Sequence, residues 1–426
     1  MTSTCRQQGS APLTFQQQAR IERARQARAA GSAPRSNLVT DAVSITGPLD
    51  ADRLQSAAGE VRRRQPALRS RFFPDHQELW PCHPSSPSLP RLDLSRIDPA
   101  PLDRPLTAPA EFAPDGPDRF ALSLHRTGEH QHELRLAADH LVFDARSLEI
   151  FWENLWNAYL SPGADGAGQG CRCEPGYLEM LTRGTRQSER SRELTESVIE
   201  ILRKRHSPFG YVDLPMRLGL DSVGSRRVSV LSLPVPSEVQ GRAAELARSR
   251  RTTVFAVITA AAFAAIGDVG DTETPMLYTF LENRRSASAR TAIGWFAATT
   301  LLTAAGSGKG DEVGQAKQIL LDALISGAQG TEQVHRACGQ GRRHANLPSV
   351  SLSMGQPARN AMTVGDIEVN GVAESDGPTG SVPRGRIAID YWPQLIQLSY
   401  ETDRFDASTV QAFGDALRSE IERLVS

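Results

Sequence analysis

Apolar and polar residues alternate through Leu38-Val39-Thr40-Asp41-Ala42-Val43-Ser44-Ile45, which predicts a strand with one buried face. Gly47-Pro48 then turns the chain. Asp50 is placed to cap a helix that carries Leu54, Ala57, Ala58 and Val61 along one side. Alternation returns at Phe120, Leu122 and Leu124, breaks at Thr127 to His130, and resumes at Leu134, Leu136 and Ala138. This is the pattern of a β-hairpin whose second strand runs out at Asp139-His140. The period then changes: Leu148, Phe151, Trp152, Leu155, Trp156 and Tyr159 recur at helical spacing behind Ser147, the predicted cap. The seven residues from Asp139 to Ala145 therefore fall in a loop between a strand end and a helix start, where scaffolds often present reactive groups.

The rest of the chain repeats the mixture. A helical stretch, PLTFQQQARIERARQAR, begins at Pro12, and a charged helix spans Ser188 to Arg205. Strands are predicted at Val228 to Leu233, Met276 to Thr279, Thr299 to Thr303, Val350 to Met354 and Leu395 to Glu401. Helices are predicted at Ser237 to Arg248 and Thr253 to Ile266, and Asp406 is placed to cap a last one bearing Val410, Phe413, Leu417, Ile421 and Leu424. A Pro-rich loop covers residues 81–109, and Pro162 to Gly170 is loop-like. At 426 residues the chain suits two lobes better than one core. The reading is a mixed α/β protein with a disordered N-terminus at 1–11, an N-terminal lobe at 12–180, a C-terminal lobe at 181–426 and a cleft.

A formal net charge of -1 argues against a nucleic-acid or anionic-membrane surface as the main partner. The longest apolar run, Val254 to Ile266, is interrupted by Thr259 and falls short of the ~20 residues that span a bilayer. The polar, Arg/Gln-rich start has no apolar core of a secretory signal. Five scattered cysteines (Cys5, Cys82, Cys171, Cys173, Cys338) fit a reducing cytoplasm better than a disulfide framework. Cys171 and Cys173 lack a second pair at zinc spacing, and His130 and His132 flank a turn, so no metal site is expected. Gly306-Ser307-Gly308-Lys309-Gly310 lacks the upstream glycine and following Ser/Thr of a phosphate-binding loop.

Of the nine histidines, only His140 has an aspartate four residues on. The loop A-D-H-L-V-F-D-A-R-S resembles the HHxxxDG motif of nonribosomal peptide synthetase condensation domains. PLTFQQQARI resembles that family's opening PLSxAQxRLW, and GPLDADRLQSAAGEVRRRQPALRSRFF its helix ending in RHxxLRTRF. TTVFAVITAAAFAAI resembles the central helix, ENRRSASARTAIGWFAATTLL the segment xNRxxxxxxxxIGxFVNTLxLR, and LSYETDRFDASTVQAFGDALRSEIERL the closing strand and helix.

The resemblance covers nearly the whole chain in order. It implies a chloramphenicol acetyltransferase-like fold, two lobes in a V with an interlobe tunnel. It also implies a stand-alone condensation enzyme that transfers an acyl group from a carrier-bound thioester to an amine or hydroxyl, forming an amide or ester. Substrates would arrive as phosphopantetheine thioesters on carrier proteins acting in trans. The acceptor would be a small molecule or carrier-bound, and no cofactor would be bound by the enzyme itself. By the same carry-over His140 is the catalytic histidine, Asp144 and Arg284 form a structural pair, and Gly294, Trp295 and Phe296 line the tunnel. An imidazole near its ordinary pKa accepts a proton at neutral pH, which suits the role.

The chain departs from the pattern at Asp139, in place of the first motif histidine, and at Ala145, in place of the motif glycine. Arg64-Gln65 replaces Arg-His, Ala297-Ala298 replaces Val-Asn, and HQDxPFE has no counterpart around Gln329 to His344. These departures keep open a catalytically degenerate member that recruits a tailoring enzyme or carrier protein. An acyl-CoA-dependent acyltransferase is a lesser alternative, since the DFGWG segment of plant-type enzymes is absent, and an epimerase is a third.

Overall fold

The computed structural model describes residues 9–29, 31, 38–80, 118–161, 173–183, 189–204, 227–304, 310–339, 350–355, 361–372, 387–392 and 394–426. In chain order they begin with β1 (Gly9–Pro12), α1 (Phe15–Ala29), β2 (Leu38–Thr46), α2 (Ala51–Arg64), β3 (Ser70–Phe72) and β4 (His76–Leu79). The predicted hairpin is β5 (Phe120–Gly128) and β6 (Gln131–Asp139), followed by α3 (Ala145–Leu160), α4 (Gly176–Arg183) and α5 (Glu189–Lys204). Next come β7 (Val228–Pro234), α6 (Ser237–Ser249), α7 (Val254–Gly270), β8 (Met276–Leu281), α8 (Ala287–Arg290) and β9 (Ala298–Thr303). The chain closes with α9 (Glu312–Gly339), β10 (Val350–Met354), β11 (Met362–Val364), β12 (Ile367–Gly371), β13 (Ile387–Trp392), β14 (Leu395–Glu401) and α10 (Ala407–Val425).

The chain divides into two units, and neither is one continuous stretch. Unit 1 takes Met1–Arg186, Arg284–Ala297 and Ala358–Glu374, and unit 2 takes the remainder. A single cut at 180 misses both returns to unit 1. Each has a physical cause: β12 pairs antiparallel with β2, and Arg284 is drawn to a buried carboxylate.

Unit 1 holds an antiparallel five-stranded sheet in the order β11-β12-β2-β6-β5. Val43 and Ile45 of β2, Leu134 and Leu136 of β6, Leu54 of α2 and Phe151, Trp152, Leu155 and Trp156 of α3 share one core. Asp50 caps α2 by accepting from Arg53 N at 2.9 Å, as its position predicted. A second sheet, β1-β4-β3, is antiparallel throughout. It corrects the reading of residues 9–11 as disordered. Gly9 to Pro12 pair with Leu79 to His76, and buried Gln77 donates from Nε2 to Pro12 O at 2.8 Å.

Unit 2 holds a six-stranded mixed sheet, β7-β14-β13-β10-β8-β9, with β13, β10 and β8 parallel to one another. Residues of α6, α7 and α10 bury one face in a core that includes Val257, Ile258, Phe263, Phe413 and Leu417. Val198 and Ile199 of α5 and Val334 of α9 pack on Met276, Tyr278 and Leu301 of the other face. Among the described residues no single helix is long and apolar enough to cross a membrane. The bent pair α6 and α7, at 107°, passes on composition, but α7 is buried core.

Three smaller expectations are corrected. Asp144, not Ser147, caps α3, because its carboxylate reaches Ser147 N at 2.8 Å while the Ser147 side chain is wholly buried. Asp406 occupies the N-cap of α10 without a side-chain cap bond. Cys173 is disulfide-bonded, which an odd total of five cysteines does not forbid. Cys5, Cys82, Cys171, the Pro-rich stretch, Pro162 to Gly170, most of residues 306–310 and residues 340–344 lie outside the described residues.

Candidate active site

His140 is the first residue after β6, and the loop it opens folds because three apolar residues follow it. Leu141, Val142 and Phe143 are all buried, and His140 ahead of them is half-buried. Asp139 closes the turn with its carbonyl, which accepts from Val142 N at 3.0 Å and Phe143 N at 3.1 Å. Gln17 of α1 donates from Nε2 to Leu141 O at 2.8 Å and so ties the opening helix to the loop. That glutamine belongs to a buried network with Gln77 and Tyr177, whose hydroxyl donates to Gln77 Oε1 at 2.7 Å. Burial pushes the Tyr177 pKa up to about 12, so the phenol stays a neutral donor.

The imidazole has one defined tautomer. Nδ1 lies 2.6 Å from Phe143 O, and a carbonyl only accepts, so Nδ1 carries the proton and Nε2 keeps its lone pair. Burial holds the His140 pKa below its ordinary 6.5. The Phe143 bond and the Asp144 charge oppose that shift, and Arg20 adds to it. The neutral form therefore prevails at pH 7. Trp295 packs on the ring, with centroids 4.5 Å apart, and is itself half-buried.

Asp144 is buried and saturated with donors. Oδ1 accepts from Ser147 N at 2.8 Å, Ser147 Oγ at 2.7 Å and Arg284 Nη2 at 2.8 Å. Oδ2 accepts from Phe296 N and Ala297 N, both at 2.9 Å. Arg284 is also buried. It donates to the carbonyls of Ala289, Ala292 and Gly294, and stacks 4.0 Å over the Phe296 ring. The pair joins a loop at residue 144 to a segment 140 residues on.

Gly294 and Phe296, which the resemblance assigns to the tunnel lining, are buried, and of the three only Trp295 keeps exposed surface. The Phe296 and Ala297 amides are given to Asp144 Oδ2, and the Phe296 ring lies under the Arg284 guanidinium. Gly294 is required by close approach. A Cβ there would stand 2.6 Å from Phe296 Cε2 and 2.8 Å from Tyr177 Cδ2. Gly294→Ala is expected to cost about 1–3 kcal/mol by overpacking, read as a lowered urea midpoint with an unchanged slope. Gln65, where a histidine is usual, is fully buried and suits its place: Oε1 accepts from Ile293 N at 2.9 Å and Nε2 donates to Thr291 O at 3.0 Å.

The two motif departures have local accommodations. Asp139 points to the opposite side from His140 and is 3% exposed. Its Oδ2 pairs with Arg119 Nη1 at 2.6 Å and its Oδ1 accepts from Leu141 N at 2.9 Å. Its charge is thus met on the far side of the strand rather than by the imidazole. Ala145 is the exposed first residue of α3 and does not have a positive φ, so its methyl brings no backbone strain.

Sequence reasoning missed Arg119, Gln17, Gln77, Tyr177 and Arg20. Gln17 lies inside the PLTFQQQARI opening and Arg119 is one residue before β5, but neither has a spacing that announces its partner. Among the described residues no group of three or more His, Cys, Asp or Glu side chains could hold a metal ion.

The Condensation domain family model matches residues 7–356. A curated relative, pyochelin synthetase PchE of Pseudomonas aeruginosa, is 34% identical over 126 residues, which is 28% of this chain and 8% of that protein. The chain spans less than a tenth of the length of the curated relatives it matches. Among solved structures, the complex of the X-domain and OxyB from teicoplanin biosynthesis aligns with a TM-score of 0.70 at 18% identity, over 98% of this chain and 94% of that one. The first condensation domain of the calcium-dependent antibiotic synthetase, in complex with a substrate analogue, aligns with a TM-score of 0.64 at 17% identity, over 100% and 97% of the two chains.

Proposed function

Since the chain belongs to the condensation domain family, whose fold is chloramphenicol acetyltransferase-like, we propose that it is an acyltransferase with His140 as its catalytic residue. The observation that carries this reading is the imidazole itself, half-buried, with Nδ1–H fixed on Phe143 O and a lone pair at Nε2. Nε2 takes the proton of an attacking amine (or hydroxyl) as that nucleophile adds to a thioester carbonyl. The new C–N or C–O bond forms, the C–S bond breaks, and the proton passes to the leaving thiolate. Donor and acceptor are delivered by carrier proteins or, for the acceptor, as a small molecule. Holding the two together supplies much of the rate. Asp144 and Arg284 act as a structural pair, holding the 294–297 segment that carries Trp295 against the ring.

Loading an acyl carrier protein with a phosphopantetheine thioester, adding an amine acceptor and following amide formation against pH tests the proposal. A base that must be neutral gives a rate that rises with pH through the His140 pKa, below 6.5, and is level above it. The rise is expected to vanish with His140. A rate that still climbs from pH 7 to 8 for want of neutral imidazole contradicts the assignment.

A second reading is favoured by one observation, that both departures from HHxxxDG flank the loop at Asp139 and Ala145. In it the chain binds a carrier protein or tailoring enzyme without forming product, as a partner for which the X-domain complex with OxyB is the precedent in fold. Tight carrier binding with no product from any donor would favour this reading over the first.

A further inference from the structure

Residues 388, 390 and 392 of β13 share one face of the unit 2 sheet with residues 351, 353 and 355 and with Tyr278 and Phe280 of β8. The first row of that face is buried beneath α5 and α9. The next row is not. It runs from Gln397 through its ladder partner Asp390 to Ser353, and then, one step past the last pair with β8, to Phe280. Asp390, Ser353 and Gln397 are half-buried, and Phe280 is 44% exposed, high for a phenyl ring. Trp392 closes the side beyond Asp390. Its indole lies flat over Gly355, where a Cβ would come within 2.3 Å of the ring.

Asp390 is in an uncomfortable position for a carboxylate. Burial pushes its pKa up, and its one hydrogen bond among the described residues comes from the Ser353 hydroxyl to Oδ1. Burial and the Ser353 bond are what act on it, and no charged neighbour among the described residues offsets the burial. A half-buried carboxylate with no counter-ion among the described residues, beside an exposed aromatic ring, lacks the partner that its surroundings would reward.

We propose that this row is a binding shelf for a primary amine carried on an aromatic or aliphatic stem, with Asp390 as its counter-ion. An ammonium has three N–H donors and no acceptor. The shelf offers acceptors of matching number and kind: the Asp390 carboxylate, the Ser353 Oγ lone pairs left once its proton is given to Asp390, and the Gln397 carbonyl oxygen. The stem lies against Phe280 and Trp392, whose ring faces also attract a cation. A carboxylate ligand would be repelled, and a neutral alcohol would forgo the charge-assisted bond. The shelf lies wholly within unit 2, and the inference does not rest on the acyl-transfer reading.

Calorimetric titration of the full chain at pH 7.5 with 2-phenylethylamine, beside its neutral match 2-phenylethanol, tests the shelf. The amine is expected to bind at least about tenfold tighter than the alcohol. Asp390→Asn is expected to bring the amine down to the level of the alcohol while leaving the alcohol unchanged. Equal binding of the two probes by the wild-type chain, or undiminished amine binding by Asp390→Asn, overturns the proposal. A readout on the unaltered protein guards against a variant that does not fold. The Asp390 carboxyl carbon, followed by NMR, should titrate at lower pH in saturating amine, and a midpoint that does not move overturns the proposal equally.

Discussion

Asp144→Ala is expected to lower stability by about 3–5 kcal/mol, since it strands the Arg284 guanidinium in a buried site. Against a total of about 5–15 kcal/mol for a folded domain, this is enough to remove much of the soluble protein. The size of the effect follows from what the carboxylate does. It is the shared acceptor for the α3 cap, the Ser147 hydroxyl, the Arg284 side chain and the amides of Phe296 and Ala297. With a methyl in its place, those amides and the guanidinium have no water to turn to, because Asp144, Ser147 and Arg284 are all buried. The Asp144→Asn variant keeps the shape and some acceptor capacity, and should fall between the two. Chemical unfolding monitored by circular dichroism reads the difference. An Asp144→Ala protein that melts like the wild type would show that the pair holds nothing. Loss of activity should accompany loss of stability here, because the 294–297 segment that sets Trp295 against His140 hangs from the same carboxylate.

Much of the fold was legible because it rests on local pattern. The alternation at 38–45 became β2, the hairpin turned at the predicted place, and β10 and β14 fell on the predicted residues. What escaped was non-local. β12 finds its partner in β2, more than 300 residues earlier, and short β1 has no apolar pattern of its own; it is held by pairing with β4. Ser147 looked like a cap because serine before a helical run usually is one. In the folded chain the aspartate three residues earlier takes the cap and the serine hydroxyl is drawn to Gly294 O and Asp144. At the candidate site, His140, Asp144 and Arg284 could be named from the order of residues, but Arg119 and Gln17 could not. Their meaning lies in a buried partner, and a sequence does not show which carboxylate or carbonyl a side chain will meet.

The other large effect concerns chemistry rather than folding. His140 is half-buried at a strand end, where its ring meets Trp295 and its Nδ1 proton meets Phe143 O. His140→Ala should fold and melt close to the wild type while losing the group that takes the nucleophile's proton. A positioned general base contributes about 10²–10⁴-fold to rate, so a loss of that order is expected in kcat, with little change in binding of the donor carrier. His140→Gln separates proton transfer from positioning. Glutamine can still hydrogen-bond to a nucleophile but cannot take its proton at neutral pH, and should be nearly as impaired as alanine. The decisive measurement is single-turnover amide formation from a thioester-loaded carrier protein, wild type beside His140→Ala, with the fold of each checked by its melt. The account predicts a folded variant slower by about two orders of magnitude or more. A folded variant that turns over at the wild-type rate would contradict it.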